Sequence, residues 1–300
     1  MIPVLPEITI SKDTANIMRG ISISGLHGTQ ENPIVIDCEW MDADSAGMTY
    51  RWPLKVIDSS WLVLKNLLAH NSCGCSVHIE KCSDIACENI LAWDAADGNN
   101  MPWLIYRSQR IQLRDCAGWG RGRKVFQTYC CNDIDLYRCW GRWGYMTTPA
   151  PGSCGVYAPS YNTFGTRMKY CIGTVPYDPP QLVNAAWLAD SMDIEPWKDQ
   201  SPNCIVSKCL GVSPLARDAF HVGVKKAIYY DRCVRSTVKP ISPGSDAGYL
   251  ASSSNGQRVL RELHDVWWES PILSQLKTWV VDGGMWGPGD PLGDVEKLLV

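Results

Sequence analysis

The sequence predicts an all-β solenoid, a chain wound into stacked coils of short strands. Three observations predict it. A pattern recurs about every 23 residues, apolar and polar residues alternate within each copy, and no helical run separates the copies.

The first copies are residues 60–67, SWLVLKNL, and 83–90, SDIACENI, offset by 23 residues. Residues 109–116 follow at an offset of 26 and 132–139 at 23. After a gap, 203–209 and 227–233 repeat the pattern at 24. Three columns emerge. The first holds Leu62, Ile85, Ile111, Ile134, Cys204 and Ile228, and two residues on come Leu64, Cys87, Leu113, Leu136, Val206 and Tyr230. A spacing of two keeps both columns on one face of a strand. Three residues further lie Leu67, Ile90, Cys116, Cys139, Cys209 and Cys233, so a bend intervenes before the next inward residue. One coil cannot bury its apolar face alone; stacking at about 4.8 Å gives a continuous core.

Residues 141–200 break the period. Loops are expected around 144–160, 174–200 and 236–256, rich in Pro, Gly and Ser, with one coil restored at 161–170. Residues 1–20 read as an N-terminal arm or cap, 21–282 as the solenoid, and 283–300 as a docking tail behind a Gly/Pro hinge. Capping of the open solenoid ends is the plainer role for both termini.

The chain has 300 residues, of which 45% are apolar and 20% charged, enough for a large core and too apolar for a disordered chain. A formal charge of −3 argues against a nucleic-acid partner. The apolar stretch 61–69 is short and carries Lys65, which argues against a membrane span. The N-terminal residues show no secretory signal pattern. Fourteen Trp and twelve Tyr against three Phe favour surfaces that meet sugars or partner chains.

The pattern Ser-x-x-Ile-x-Leu-x-Asn-Ile, with Ile21-Ser-Ile-Ser-Gly25 and Asn32-Pro-Ile-Val-Ile-Asp37, resembles right-handed parallel β-helix proteins: pectate lyases, polygalacturonases, alginate epimerases and phage tailspikes. The resemblance covers residues 8–282. It implies a right-handed parallel β-helix and leaves function open.

Glycosidases of this fold set two or three carboxylates across a groove. Asp94, Asp97, Asp133 and Asp135 are the candidates here, with Arg167 and Lys169 in Arg-Met-Lys similar to one polygalacturonase motif. The other polygalacturonase motifs are missing: Asn162-Thr-Phe lacks its acid, and His221 lacks the leading Gly. Solvated turn carboxylates are the plainer reading. Two basic, Trp-rich stretches could meet a glycan or an acidic subunit surface: Trp119, Arg121 and Arg123, then Trp140, Arg142 and Trp143.

Fourteen Cys divide into inward columns, expected as thiols, and turn residues. Cys73, Cys75, Cys82, Cys130, Cys131 and Cys154 are the disulfide candidates. His70, Cys73, Cys75, His78 and Cys82 offer metal-ligand types at a spacing unlike a standard zinc knuckle, so no metal and no cofactor is expected.

The expectation is a non-enzymatic virion protein of a tailed bacteriophage, a capsid decoration or spike, reaching the exterior by host lysis. It would assemble as a trimer with itself and with other virion proteins, and could touch surface glycans. The alternative is a polysaccharide lyase, hydrolase or epimerase acting on an acidic glycan.

Overall fold

The computed structural model describes residues 7–9, 20–45, 52–96, 98–144, 154–175, 184–187, 204–213, 219–220, 228–236, 248–278 and 290–299. These residues form a parallel β-helix with a 15-stranded long sheet, a seven-stranded second sheet and a short helical segment at the C-terminal end. Every strand pair is parallel and joins one coil to the next.

Each coil begins with a strand of the second sheet, such as Leu54–Ile57, Val77–Glu80 or Trp103–Tyr106. A sharp turn leads into the long sheet. There the chain runs along a first arm, bends, and runs along a second arm. In Ser60–His70 and Ser83–Trp93 both arms are one bent strand. Later coils break at the bend, as in Gln109–Arg114 followed by Ala117–Gly120.

The bend is the step of three seen in the sequence. One residue there takes positive φ: Asn66 at 59° and Asn89 at 56°, then Asp115, Arg138, Tyr170, Lys208 and Arg232 in successive coils. Among residues with a side chain, Asn tolerates this conformation well, and larger residues resist it. Contacts along the bend offset that cost. Asn89 donates to Asn66 at 3.0 Å, Asn66 donates to Asp37 at 2.9 Å, and Arg138 grips Asp115 through two bonds of 2.5 and 3.0 Å.

The inward columns stack in register as the alternation predicts. Leu62, Ile85, Ile111 and Ile134 are partners across successive coils, and so are Leu64, Cys87, Leu113 and Leu136. Cys116 lies over Cys139, because Ala117 pairs with Trp140. The thiol column also includes Cys171, which the broken period concealed. Each of these thiols points at a carbonyl of the preceding coil, for example Cys116 Sγ at the Cys87 oxygen, 3.4 Å away. A small, weakly polar group thus fits beside the carbonyls that the bend turns inward.

A second pair of columns fills the wider half of the interior. From the second sheet, Trp103, Phe126, Tyr157, Trp187 and Phe220 stack along the axis with ring centroids 4.7–5.6 Å apart. Facing them from the second arm are Gly118, Gly141, Gly173 and Gly211. A Cβ on Gly141 would sit 2.2 Å from Val156 Cγ1 and 3.3 Å from Phe126. Where the second sheet carries Leu54 and Val77 instead, the second arm carries Ala69 and Ala92. The buried aromatic polar atoms find partners: Trp103 Nε1 donates to the Ala117 carbonyl at 2.9 Å, the Tyr157 hydroxyl to the Cys139 carbonyl at 2.8 Å, and Trp187 Nε1 to the Met168 sulfur at 3.2 Å.

The outer face of the second arm is apolar. Leu68, Leu91, Trp140, Ile172, Leu210 and Val234 would be exposed on a bare solenoid. Three helices cover them: α1 (Ser254–Trp268), α2 (Leu273–Thr278) and α3 (Pro291–Glu296). Ser253 caps α1, and Val259, Leu260, Leu263 and Trp267 form its buried stripe. Polar contacts fix the cover. Ser270 donates to Asp115 at 2.7 Å, Arg138 to the Val266 carbonyl at 2.9 Å, and Trp267 to the Tyr170 carbonyl at 2.8 Å. Lys208 and Tyr170 pair with Glu262. Trp140 Nε1 and the Thr174 hydroxyl donate to Asp294 at 3.1 and 2.7 Å.

The organisation differs from the sequence reading in three places. Ser254–Trp268 and Leu273–Thr278, expected as the end of the 236–256 loop and as solenoid, are helices, because their apolar residues recur at helical spacing. Residues 290–299, read as a docking tail, lie against the chain's own second arm. Cys154–Ser160 and Asn184–Trp187, placed in loops, are rungs of the second sheet. Within the N-terminal arm, Glu7–Thr9 pairs with Val35–Asp37 on the first coil; the rest of that arm lies outside the described residues.

Gly141→Ala tests the paired columns. The added methyl meets Val156 in a packed interior, so unfolding in urea is expected to show a loss of about 1–3 kcal/mol, with most of it restored in the double variant carrying Val156→Ala. An unchanged midpoint would show that the glycine makes no room.

Candidate functional site

Alternation sends half of each strand outward, so the coils offer outer faces as well as a core. The second arm's outer face lies under the helices. The first arm's outer face carries an open groove of about 470 Å³. It runs from Gln30 and Pro33, past Trp61, Asp84 and Arg110, to Asp133, Asp135 and Arg167. These residues belong to six successive coils, a run of about 24 Å at the usual strand spacing. Val63 and Ala86 give it a low floor.

Two ion pairs form the walls. Arg110 holds Asp84 through Nε and Nη2, both at 2.7 Å. Arg167 holds Asp135 at 2.5 and 2.9 Å, with Asp133 3.8 Å from its Nη1. Register explains both pairs. Asp84 and Arg110 each follow the aligned residues Ser83 and Gln109, and Asp135 lies directly beside Arg167 on neighbouring strands. The Arg110 bonds hold the Asp84 carboxyl below the usual carboxylate range. The Asp135 and Asp84 bonds push Arg167 and Arg110 up, so both guanidinium groups stay charged.

Of the predicted catalytic candidates, the fold thus unites Asp133, Asp135 and Arg167. Lys169 is also on the first arm's outer side, with Nζ 5.0 Å from the Tyr170 ring centre. Asp94 is elsewhere, at the end of the second arm, where it accepts the Arg121 backbone N–H at 3.1 Å. Asp97 lies outside the described residues. Trp61, Asp84 and Arg110 were not singled out from the sequence, although they share one place in the repeat, the residue after Ser60, Ser83 and Gln109.

The predicted Trp/Arg contact surface does not assemble. Trp140 points outward but is buried beneath the helices, and Trp143, three residues on, points into the core. Trp119 stacks on Trp93 with centroids 4.7 Å apart. Arg121 donates to the Ala95 carbonyl at 2.8 Å, Arg123 to Asn99 at 2.8 Å, and Arg142 is half-buried beside Trp119 in the sheet. A basic run in sequence is thus spread over several environments by strand alternation.

Among the described residues, none of the candidate cysteines is joined to another within the chain. Cys75, Cys82 and Cys131 are buried thiols and Cys130 is a half-buried one. Burial pushes the Cys131 thiol up to about 12. Cys73 is exposed, and the Cys154 side chain lies outside the described residues. Cys82 and Cys131 occupy the same turn place as Ser59, Ser108 and Thr163, where a hydroxyl or thiol meets the carbonyl two residues before it or close by. Nor do His70, Cys73, Cys75 and His78 converge, and no metal-binding group occurs among the described residues. His70 pairs with Asp42 and stacks on Trp93 on the second arm, Cys75 is buried beside Met101, and His78 faces out of the second sheet beside Glu80.

No family model matches the sequence, and no curated protein matches it. Among solved structures, the chain is similar to the crystal structure of pectate lyase Pel9A. The two share 11% identity with a TM-score of 0.51, over 84% of this chain and 70% of that one. That likeness shows the parallel β-helix fold.

The Asp84 pair sets a pH dependence. A carboxylate whose folded pKa is lowered adds stability above its unfolded pKa, and that stability disappears as pH falls through the folded value. Asp84→Asn is expected to cost up to about 1 kcal/mol in urea unfolding, by the same amount from neutrality down to about pH 4. The difference from the parent chain should shrink only below that. A difference that vanishes already near neutrality would contradict the pairing.

Proposed function

We propose that the chain is a non-catalytic, spike-type β-helix that lays a linear polysaccharide along the outer face of its first arm. The observation that carries this reading is the six-coil groove with its ion-paired walls. A linear glycan is an extended ligand, and a row of carboxylate–guanidinium pairs offers donors and acceptors to its hydroxyls at each coil. Trp61, half-buried at one end, offers an indole to a sugar ring.

At Asp84 and Arg167, the ion pairs suit binding better than proton transfer. A general acid needs a carboxyl held above its ordinary range, and Arg110 moves Asp84 the other way. A base that removes a proton α to a carboxylate must shed its own proton, and Asp135 keeps Arg167 charged. A bacteriophage virion setting and assembly as a trimer belong to the same proposal. Buried thiols suit a particle that meets oxidant, since burial withholds the reactive thiolate.

The second reading is a polysaccharide lyase, hydrolase or epimerase, favoured by the likeness to a pectate lyase. One experiment separates the two. The chain is incubated with dextran and with polygalacturonate, and bound glycan, new reducing ends and ultraviolet-absorbing unsaturated products are measured. Retention without products is expected, weakened tenfold or more in the Arg110→Ala/Arg167→Ala double variant. Chain scission would overturn the non-catalytic reading, and failure to retain either glycan would overturn the groove as a glycan site.

A further inference from the structure

Beside the groove, the turn from the second sheet into the first arm forms a ridge. One residue of each turn takes positive φ, so Asp58, Lys81, Arg107 and Cys130 line up along the axis. A second open cavity, of about 630 Å³, lies along this ridge. Its lining includes Lys81, Arg107, Gln109, Asn132 and Asn162, and it contains no carboxylate.

Lys81 and Arg107 are the two cations of that lining. Arg110, Arg138, Arg167, Arg232, Lys65 and Lys208 all have a carboxylate within ion-pair distance. Lys81 and Arg107 have none among the described residues, and both are exposed. Glu80, next to Lys81 in sequence, pairs with His78 at 3.4 Å on the outer face of the second sheet. Arg107 is steadied by the Tyr106 ring, 4.9 Å from its guanidinium carbon.

We infer that this ridge is a carboxylate-reading site for an acidic polysaccharide, with Lys81 and Arg107 each taking the carboxylate of one of two neighbouring uronic acid residues. The inference rests on the groove reading above and names its ligand class. Lys81 and Arg107 come from adjacent coils, joined by the pairing of Glu80 with Tyr106. Their backbones are therefore about 4.8 Å apart along the axis, close to the length of one sugar in an extended glycan. A uronate chain parallel to the axis would bring successive carboxylates past successive coils. Arg107 can take its carboxylate through two parallel bonds, while Lys81 acts as a point charge. Gln109 and Asn132 occupy the same place in consecutive coils and offer amides to the ring hydroxyls between ridge and groove. Asp58 closes the row at the N-terminal end and would repel a carboxylate there.

The test titrates polygalacturonate and dextran into three forms of the full chain: the parent, Lys81→Gln/Arg107→Gln, and Arg110→Ala/Arg167→Ala. All three are first compared for melting temperature, since Lys81 and Arg107 are exposed and hold no ion pair among the described residues. The inference expects the ridge variant to melt as the parent does, to lose polygalacturonate affinity at least tenfold with a shallower salt dependence, and to keep whatever dextran affinity the parent has. Polygalacturonate binding equal to the parent's in the ridge variant but weakened in the groove variant would overturn the ridge and leave the groove standing. No polygalacturonate binding by the parent would overturn the ridge, and dextran retention would then decide the groove separately.

Discussion

The interior from Trp103 onward works only because large residues on one side face glycines at 118, 141, 173 and 211 on the other. A stacked column of Trp, Phe and Tyr fills one side, and glycines on the second arm leave the space for it. Parallel stacking makes this a condition on the whole chain. A side chain in one coil rests on the same place in the next, so a bulky residue in the glycine column would press on the aromatic column at that level. The packing density of protein interiors leaves little room for such a change. The Tyr157 hydroxyl and the Trp103 indole then depend on carbonyls that the bend and its neighbours direct inward, which ties the wide half of the core to the positive-φ column.

That interior decides what the exterior can do. With the core sealed, chemistry is confined to outer faces and turns. The second arm's outer face is too apolar to be bare and is covered by α1–α3, anchored through the Asp115–Arg138 pair and through Asp294. Burying an ion pair or a carboxylate carries a desolvation cost, which hydrogen bonds from Ser270, Trp140 and Thr174 offset. The first arm's outer face keeps its charges in the open. Its residues form intercoil pairs because in-register stacking sets them side by side, and the same register leaves Lys81 and Arg107 next to each other, with Asp58 one coil before Lys81.

Much of the fold was legible because alternation and period are both written in residue types. The three inward columns, the bend between the second and third, and the stacking of Cys116 over Cys139 all follow from that pattern. Cys171 was hidden by the long interruption before it, which destroys the count without changing the coil. The α1 helix was hidden for another reason. Val259, Leu260, Leu263 and Trp267 do show helical spacing, but a search for strand alternation passes over them. The candidate site was legible in part. Asp133, Asp135 and Arg167 drew notice as a possible carboxylate–base set. Their meeting depends on coil register across an insertion, which spacing alone does not give. The Trp/Arg stretches misled because adjacent residues in a strand face opposite ways, so Trp140 and Trp143 were never on one surface.

The claim at the centre is that the first arm and its preceding turn form the working face, while the interior and the covered second arm serve to hold it. A crystal structure of the chain with an oligogalacturonate bound tests this most directly. The account expects the sugar chain to lie parallel to the solenoid axis, with carboxylates at Lys81 and Arg107 and hydroxyls toward Arg110 and Asp135. Sugar found instead along the outer face of the second sheet, with the first arm empty, would contradict it.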